Sequence, residues 1–119
     1  MEFVVAPVKP LVEISDVEKL DIRVGTIQKV EDVADSVNLV KLTVSFGNHR
    51  LTVIAGIKSE RSDPREIVGR QALFVVNLKP KKMRGQISEG MLFDIGYADN
   101  LTPVLAVPER EVPDGARAG

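Results

Sequence analysis

Apolar and polar residues alternate on either side of one short turn, and this pattern restricts the fold more than any other feature of the chain. Residues 40–46 are apolar at every second position, and the same period resumes across residues 51–55. A period of two places side chains on alternate faces of a β-strand, whereas a helix needs a period of about 3.6. Gly47 and Asn48 join the two runs, and a leading glycine suits a type II′ turn. The pattern therefore predicts a β-hairpin.

Three further segments carry strand signals. Apolar residues recur through residues 22–30 with an interruption at Gly25, which predicts a first strand with a bulge at that glycine. Residues 71–78 are apolar on both faces, which predicts a strand covered on both sides. Residues 91–95 form the last candidate strand. With the hairpin, these segments predict an all-β chain with five strands.

A short helix is predicted between the third and fourth strands. Asp63 is placed as its N-cap, Pro64 stands at the first helical position, Glu66 stands at the third, and Gly69 follows as the stop signal. Five strands with a helix between the third and fourth is the order of an OB-fold, a small partly open barrel that often carries oligonucleotide-binding sites. The predicted fold is therefore all-β: an OB-fold five-stranded barrel with N- and C-terminal extensions.

The N-terminal arm is assigned to residues 1–14. Pro7 and Pro10 favour an extended chain there. Ser15 and Glu18 then match a capping box, with Ser15 as the N-cap, which predicts one short helical turn before the barrel.

The barrel itself is assigned to residues 15–98, and the C-terminal extension to residues 99–119. Both extensions carry apolar runs, at residues 3–5 and 104–107, that need to be covered. One interpretation is that each extension packs on its own barrel. The other is that the extensions meet a second copy of the chain.

Composition argues against several classes of function. No apolar run approaches the roughly 20 residues of a membrane span, and no signal-peptide pattern opens the chain, so we expect a cytoplasmic protein with no membrane partner. The chain has no cysteine and a single histidine, His49, which excludes a typical zinc site. Neither a phosphate-binding loop nor a nucleophile elbow occurs, and no base is suggested for Ser88, so it is interpreted as a turn serine. We expect no enzyme activity, no metal and no cofactor.

Positive charge is concentrated in one stretch of an otherwise balanced chain. Lys79, Lys81, Lys82 and Arg84 fall within residues 79–84, although the formal net charge of the chain is −1. Cations held on one rim of a barrel suit a phosphate backbone, while the alternative is a solvated loop that discourages edge-to-edge aggregation. Aromatic residues are only 4% of the chain, which disfavours a base-stacking platform. The pattern therefore favours recognition of folded RNA by shape and backbone.

Four motifs make the chain similar to a known family. They are DIRVG at residues 21–25, VIAGIK at 53–58, VVNLKPKKMRG at 75–85 and SEGML at 88–92. In this order and spacing they resemble the tRNA-binding domain attached to methionyl-tRNA synthetases. The resemblance implies an OB-fold that binds tRNA whatever its amino-acid identity, as a synthetase appendix, a beta subunit or a stand-alone protein. The synthetase signatures His-Ile-Gly-His and Lys-Met-Ser-Lys-Ser are absent, so we do not expect this chain to aminoacylate tRNA alone.

The resemblance also implies roles for particular residues. Those expected to face tRNA phosphates are Lys79, Lys82 and Arg84, with Lys81, Lys41 and Lys58 as further candidates. Those expected to shape the contact surface are Asn77, Ser88 and Met91. The loop after the first strand, EDVADSVN, lacks the His-Pro and the lysine that many relatives carry, so no contact from this loop is implied.

The resemblance implies partners besides tRNA. Stand-alone members are symmetric homodimers built from the terminal extensions, so a homodimer is expected, and a synthetase catalytic chain is a second candidate partner. A related family of CsaA-type export chaperones shares the fold, and membership there would make the chain a homodimer that binds unfolded polypeptides. Members resembling that family usually lack the NLKPKK and SEGM runs. These runs favour tRNA binding.

Overall fold

The structure is a computed structural model that describes residues 2–119, so Met1 of the predicted arm lies outside the described part. Short strands dominate it. In chain order, helix α1 (Ile14–Glu18) is followed by strands β1 (Ile22–Asp32), β2 (Val40–Ser45), β3 (Arg50–Ala55), β4 (Gln71–Val75), β5 (Lys81–Met83), β6 (Gln86–Ser88), β7 (Met91–Leu92), β8 (Asp94–Ile95), β9 (Val104–Leu105) and β10 (Arg117–Ala118), with 3₁₀ turns at Lys58–Glu60, Pro64–Ile67 and Tyr97–Asp99.

Five of these strands form the barrel sheet in the order β3-β2-β1-β4-β7, and β10 pairs with β1 beside this path. Every pairing is antiparallel. One face of the sheet supplies the core, in which Ile27, Leu42, Val44, Val53 and Phe74 are fully buried. The predicted all-β, OB-like barrel is confirmed.

The predicted hairpin is confirmed as β2 and β3. Their register pairs Thr43 with Thr52, and the two-residue loop begins at Gly47, whose φ of 94° suits the first position of a type II′ turn. The backbone N–H of Phe46 donates to the carbonyl of His49 at 2.9 Å. Side chains that point inward from β2 are buried and those between them are half-buried, as the sequence alternation predicted.

The bulge predicted at Gly25 is wrong. The register of β1 against β4 continues through Gly25, and the irregularity lies between Ile27 and Lys29 in the pairing with β2. A Cβ atom at position 25 would lie 2.6 Å from Val44 Cγ1 and 2.7 Å from Phe46 Cε1. Glycine is therefore required here because core side chains pack directly against the backbone.

Both predicted helical segments contain a helical turn, but the type of one turn and the capping residue of the other differ from the prediction. The Asp63 side chain accepts a hydrogen bond from the backbone N–H of Arg65 at 3.1 Å, as expected of an N-cap, yet residues Pro64–Ile67 form only a 3₁₀ turn. The N-terminal cap is different from the prediction. Helix α1 begins at Ile14, so Ser15 lies inside it, and the cap is Glu13, whose backbone N–H donates to Asp16 Oδ2 at 3.2 Å.

The segment predicted as a fifth strand, residues 91–95, is divided at Phe93. Its first half, β7, pairs with β4, and its second half, β8, pairs with β9. The backbone of Phe93 joins both sides, because its N–H donates to Leu73 and its carbonyl accepts from Ala106. The chain therefore changes partners within one extended run.

The two ends of the chain behave differently. The C-terminal segment returns to its own barrel: Leu105 is buried in the core, and Thr26 Oγ1 donates to Asp114 Oδ1 at 2.6 Å. The N-terminal arm lies exposed, with 82% of Val4, 92% of Val8 and 96% of Leu11 accessible to solvent. Within residues 2–119, no helix has the length and apolar character needed to cross a membrane.

Candidate nucleic-acid interface

The basic cluster lies on a separate hairpin formed by β5 and β6. Met83 pairs with Gln86, which leaves Arg84 and Gly85 as a two-residue loop. Their φ angles are 49° and 80°, and two successive positive values are the mark of a type I′ turn, which matches the right-handed twist of the strands. The turn places Arg84 at the tip of the hairpin.

The cations of this hairpin point in different directions. Lys82 pairs with the exposed Ile87, whereas Lys81 pairs with the buried Ser88. Because successive side chains of a strand point to opposite faces, Lys81 and Lys82 lie on opposite sides of the hairpin. The cations therefore surround the hairpin instead of lining one flat rim.

The four cluster cations, Lys79, Lys81, Lys82 and Arg84, are all exposed. In the part of the chain that the structure describes, none of them has a carboxylate within 4.0 Å, although several other cations do. Lys58 is one of those others, because its Nζ lies 3.3 Å from Asp32 Oδ1. The charge of the hairpin is therefore available to an external anion, whereas that of Lys58 is shared.

The position of the hairpin in the barrel matters for nucleic acids. It lies in the connection between β4 and β7, the fourth and fifth barrel strands, and residues 33–39 connect the first and second. In OB-folds, these two connections and the face of strands two and three bind oligonucleotides. The N–H of Lys58 donates to the carbonyl of Asn38 at 2.9 Å, and Lys41 follows this loop. The predicted residues thus form two groups. One lies on the β4–β7 connection, and the other, Lys41 in β2 and Lys58 in the turn after β3, lies next to residues 33–39.

Asn77 acts as an anchor at the base of the long connection. Its Oδ1 accepts from the backbone N–H of Asp21 at 2.8 Å, and its Nδ2 donates to the carbonyl of Lys19 at 2.7 Å. Both functional groups of the amide are therefore occupied by the segment between α1 and β1. Asn77 therefore holds this segment at the start of the long connection.

Ser88 and Glu89 attach the connection to the free edge of β3. The backbone N–H of Ile54 donates to Ser88 Oγ at 3.0 Å, and that of Thr52 donates to Glu89 Oε1 at 2.8 Å. Glu89 returns a bond from its own N–H to the carbonyl of Thr52 at 2.8 Å. Side-chain oxygens thus replace the carbonyls of a missing strand. Ser88 bonds backbone groups, as interpreted from the sequence, but it does so as the last residue of β6 and not from a turn.

Met91 follows this attachment on β7 with 44% of its surface exposed, opposite Val75. Gly90 lies between Glu89 and Met91 in the sequence. It has no room for a side chain, because a Cβ atom there would lie 2.9 Å from the carbonyl oxygen of Val75. The SEGM motif is therefore explained by barrel closure, with Met91 as its exposed member.

Two features escaped the sequence interpretation. The first is the hairpin, whose signal was the Arg84-Gly85 pair between two short alternating runs. The second is a cleft of about 310 Å³ beside it, whose lining comes from distant parts of the chain: Asn38, Leu39, Gly56, Met83, Asp94 and Tyr97. Burial, together with the nearby Asp94 carboxylate, raises the pKa of Glu60.

Comparison with known proteins gives consistent results. The family model described as "Putative tRNA binding domain" matches residues 22–117. The methionine–tRNA ligase of Methanocorpusculum labreanum is 39% identical over 118 residues, which are 98% of this chain and 17% of that ligase. The ligase of Clostridium acetobutylicum is 38% identical over 111 residues, 92% of this chain and 17% of the ligase. The chain therefore spans about a sixth of the length of these relatives.

Solved structures share the whole fold. A MetRS related protein from Pyrococcus horikoshii superposes with a TM-score of 0.85 at 37% identity, covering 93% of this chain and 100% of that one. The CsaA chaperone of Bacillus anthracis superposes with a TM-score of 0.79 at 28% identity, covering 92% and 100%. The resemblance inferred from the four motifs is confirmed by these matches, and the chain belongs to the tRNA-binding domain family.

Proposed function

We propose that this chain binds tRNA through its shape and phosphate backbone, without regard to nucleotide sequence. The observation that carries the proposal is the set of exposed cations without ion-pair partners on the β5–β6 hairpin, in a connection that OB-folds use for nucleic acids. Phosphate contacts orient a complex but carry no sequence information directly. Membership of the family supplies the class of RNA.

The working form is a homodimer. The exposed apolar residues of the arm continue into Ile14, Val17 and Leu20, which line a cleft of about 800 Å³ together with the chain end at Arg117–Ala118. A surface of this kind suits a second copy of the chain, in which residues 1–14 and 99–119 form the interface and residues 15–98 bind RNA. Two hairpins on one particle would bind one folded tRNA more tightly than one hairpin does.

The chain acts in the cytoplasm as an accessory protein and not as a catalyst. As a stand-alone binder or a beta subunit, it delivers tRNA to a separate methionyl-tRNA synthetase chain. The similarity to methionine–tRNA ligases covers about a sixth of their length, which supports a role in tRNA binding for this chain and leaves catalysis to the separate chain.

Binding of unfolded polypeptides is the second candidate function. The similarity to the CsaA chaperone and the exposed apolar arm favour it. A polypeptide held by apolar contacts would not depend on the cations of the hairpin. The two functions therefore make different predictions for the same variant.

The test is gel retardation of bulk tRNA by the full chain and by the double variant Lys82→Ala, Arg84→Ala. The matched control removes two exposed cations elsewhere, with Arg65→Ala and Arg70→Ala. We expect the hairpin variant to bind tRNA about tenfold more weakly and the control to bind as the original chain does. Equal tRNA binding by all three proteins would show that the hairpin does not carry the binding. Absence of tRNA retardation together with binding of an unfolded polypeptide would support the chaperone function instead.

A further inference from the structure

We infer that the cleft beside the hairpin binds one unpaired guanine base of the RNA, in addition to the sequence-independent phosphate contacts of the hairpin. This inference rests on the proposed function, because the bound RNA would bring the base to the cleft. Single-stranded bases are recognised in proteins by stacking on an aromatic ring and by hydrogen bonds to the exposed base edge. The cleft offers a ring, a donor and two acceptors for these contacts.

The ring is that of Tyr97, which lies in the 3₁₀ turn after β8 and has 67% of its surface exposed. The other aromatic rings near the barrel axis, Phe46 and Phe74, are buried in the core. Tyr97 borders both the cleft of about 310 Å³ and an adjoining one of about 320 Å³ that includes Glu60. Volumes of this size are at the small end of ligand sites, which suits a single base.

The donor is the amide nitrogen of Asn38. The hydroxyl of Ser59 donates to Asn38 Oδ1 at 2.9 Å, which fixes the orientation of the amide. Asn38 Nδ2 consequently lies toward Gly56, within 3.0 Å of the position that a Cβ atom would occupy there. Within residues 2–119 this nitrogen has no hydrogen-bond acceptor, and Gly56 lines the cleft.

The two acceptors are the carboxylate oxygens of Asp94, while Glu60 lies in the adjoining cleft. Asp94 is half-buried on β8 and, in the described part of the chain, makes neither an ion pair nor a side-chain hydrogen bond. Guanine presents two adjacent donors, N1–H and N2–H, which match the two oxygens of one carboxylate. Its neighbouring O6 accepts, which matches an amide such as that of Asn38. Adenine and cytosine each offer one donor group on this edge, the amino group, beside a ring nitrogen that accepts, so the cleft favours guanine.

The cleft also has the right position. Met83 lines it, and Met83 stands between Lys82 and Arg84 on the hairpin. Alternate side chains of a strand share a face, so Lys81 lies on the same side of the hairpin as Met83. A strand whose phosphates contact Lys81 and Arg84 passes the mouth of the cleft. An unpaired nucleotide there could turn its base inward without leaving the hairpin.

The experiment uses the single tyrosine of the sequence as a probe. Full-length protein labelled with 3-fluorotyrosine gives one ¹⁹F resonance, which reports on Tyr97 alone. The ligands are the ribotrinucleotides UGU, UIU (I is inosine, which lacks the N2 amino group) and UUU. We expect the ¹⁹F chemical shift to reach a plateau as each trinucleotide is added. UGU should bind about tenfold more tightly than UIU or UUU, because only guanine donates hydrogen bonds to both oxygens of a carboxylate.

The variant Asp94→Asn should abolish the preference for UGU over UIU, because an amide has one acceptor oxygen where a carboxylate has two. The control Asp99→Asn changes an exposed carboxylate two residues from Tyr97 and should keep the preference. A resonance that does not move, or that moves equally with UGU and UUU, overturns the inference. If the same sample still retards tRNA, only the cleft assignment fails; if it does not, the proposed function fails independently.

Discussion

The backbone N–H of Ile54 donates to the side-chain oxygen of Ser88 across the gap between β3 and the segment leading to β7, at 3.0 Å. The same oxygen donates its proton to the carbonyl of Gly90 at 3.0 Å. Both Ile54 and Ser88 are buried, so water does not replace these bonds easily. The Ser88 hydroxyl is therefore the buried part of the attachment that closes the barrel, beside the bonds of Glu89 to Thr52.

Replacing Ser88 by alanine should lower the free energy of unfolding by about 1–3 kcal/mol, because the buried N–H of Ile54 would lose its acceptor. Urea denaturation monitored by circular dichroism measures this change. The control is Ser62→Ala, which removes an exposed hydroxyl and should change the stability by less than about 0.5 kcal/mol. If both variants were equally stable, the hydroxyl would not be needed to close the barrel.

Salt should weaken tRNA binding in proportion to the number of phosphates contacted. If the four cations of the cluster each neutralise one phosphate, the logarithm of affinity should fall with the logarithm of salt concentration with a slope of roughly −3 to −4. In the variant Lys82→Ala, Arg84→Ala the slope should be smaller in magnitude by roughly 2. Filter binding across a salt series measures both slopes, and the variant Arg65→Ala, Arg70→Ala should keep the original one. A flat profile would contradict phosphate recognition.

Acid should weaken the ion pairs that Asp21 makes with Arg23 and Arg117. A hydrogen bond from Arg23 lowers the pKa of Asp21 from its ordinary value of 3.8, and the charges of Arg23 and Arg117 act in the same direction. A lowered pKa means that the ion pair stabilises the fold above pH 3.8 and that this contribution is lost as the pH falls through the folded-state pKa.

The variant Asp21→Asn should therefore be less stable than the original chain near neutral pH, and the difference should shrink in acid. Urea midpoints at about pH 7 and about pH 3 test this. Asp35→Asn is the control, because Asp35 is exposed with a φ of 60°, a conformation that asparagine also tolerates. A constant difference at both pH values would rule out the ion pair as its cause.

Self-association should depend on the apolar arm. Light scattering of the full chain should give about twice the 13.0 kDa of one chain. The double variant Leu11→Asp, Ile14→Asp should give a mass near 13.0 kDa, because carboxylates would have to be desolvated in the interface. Val37→Asp changes an equally exposed apolar residue in the loop before β2 and should leave the dimer intact. A mass near 13.0 kDa for the original chain would exclude the homodimer.

The sequence predicted those parts of the fold that depend on local periodicity. The β2–β3 hairpin and the Asp63 cap follow from neighbouring residues, and the structure has both. The bulge was misplaced because a glycine inside a strand has two explanations, a bend or a close contact. Only the tertiary structure shows Val44 and Phe46 against Gly25.

The candidate site was predicted unevenly for the same reason. The basic residues lie close together in the sequence, so the local concentration of charge was enough to find them. The cleft joins Asn38, Met83, Asp94 and Tyr97, which are brought together only by barrel closure. The role of Asn77 was also hidden, because its partners Lys19 and Asp21 lie 58 and 56 residues earlier.

Arg84 occupies a left-handed backbone conformation, φ 49°, that suits glycine and asparagine better than arginine. Exchange for asparagine should raise the stability of the protein, by up to about 1 kcal/mol, and should weaken tRNA binding severalfold. Urea denaturation and gel retardation of the Arg84→Asn variant measure the two effects, and loss of stability together with binding would contradict this account. Selection for stability alone would therefore favour replacement of this arginine, since the turn itself gains from the change. Its retention in a lineage would be a record of continuing selection for the guanidinium group.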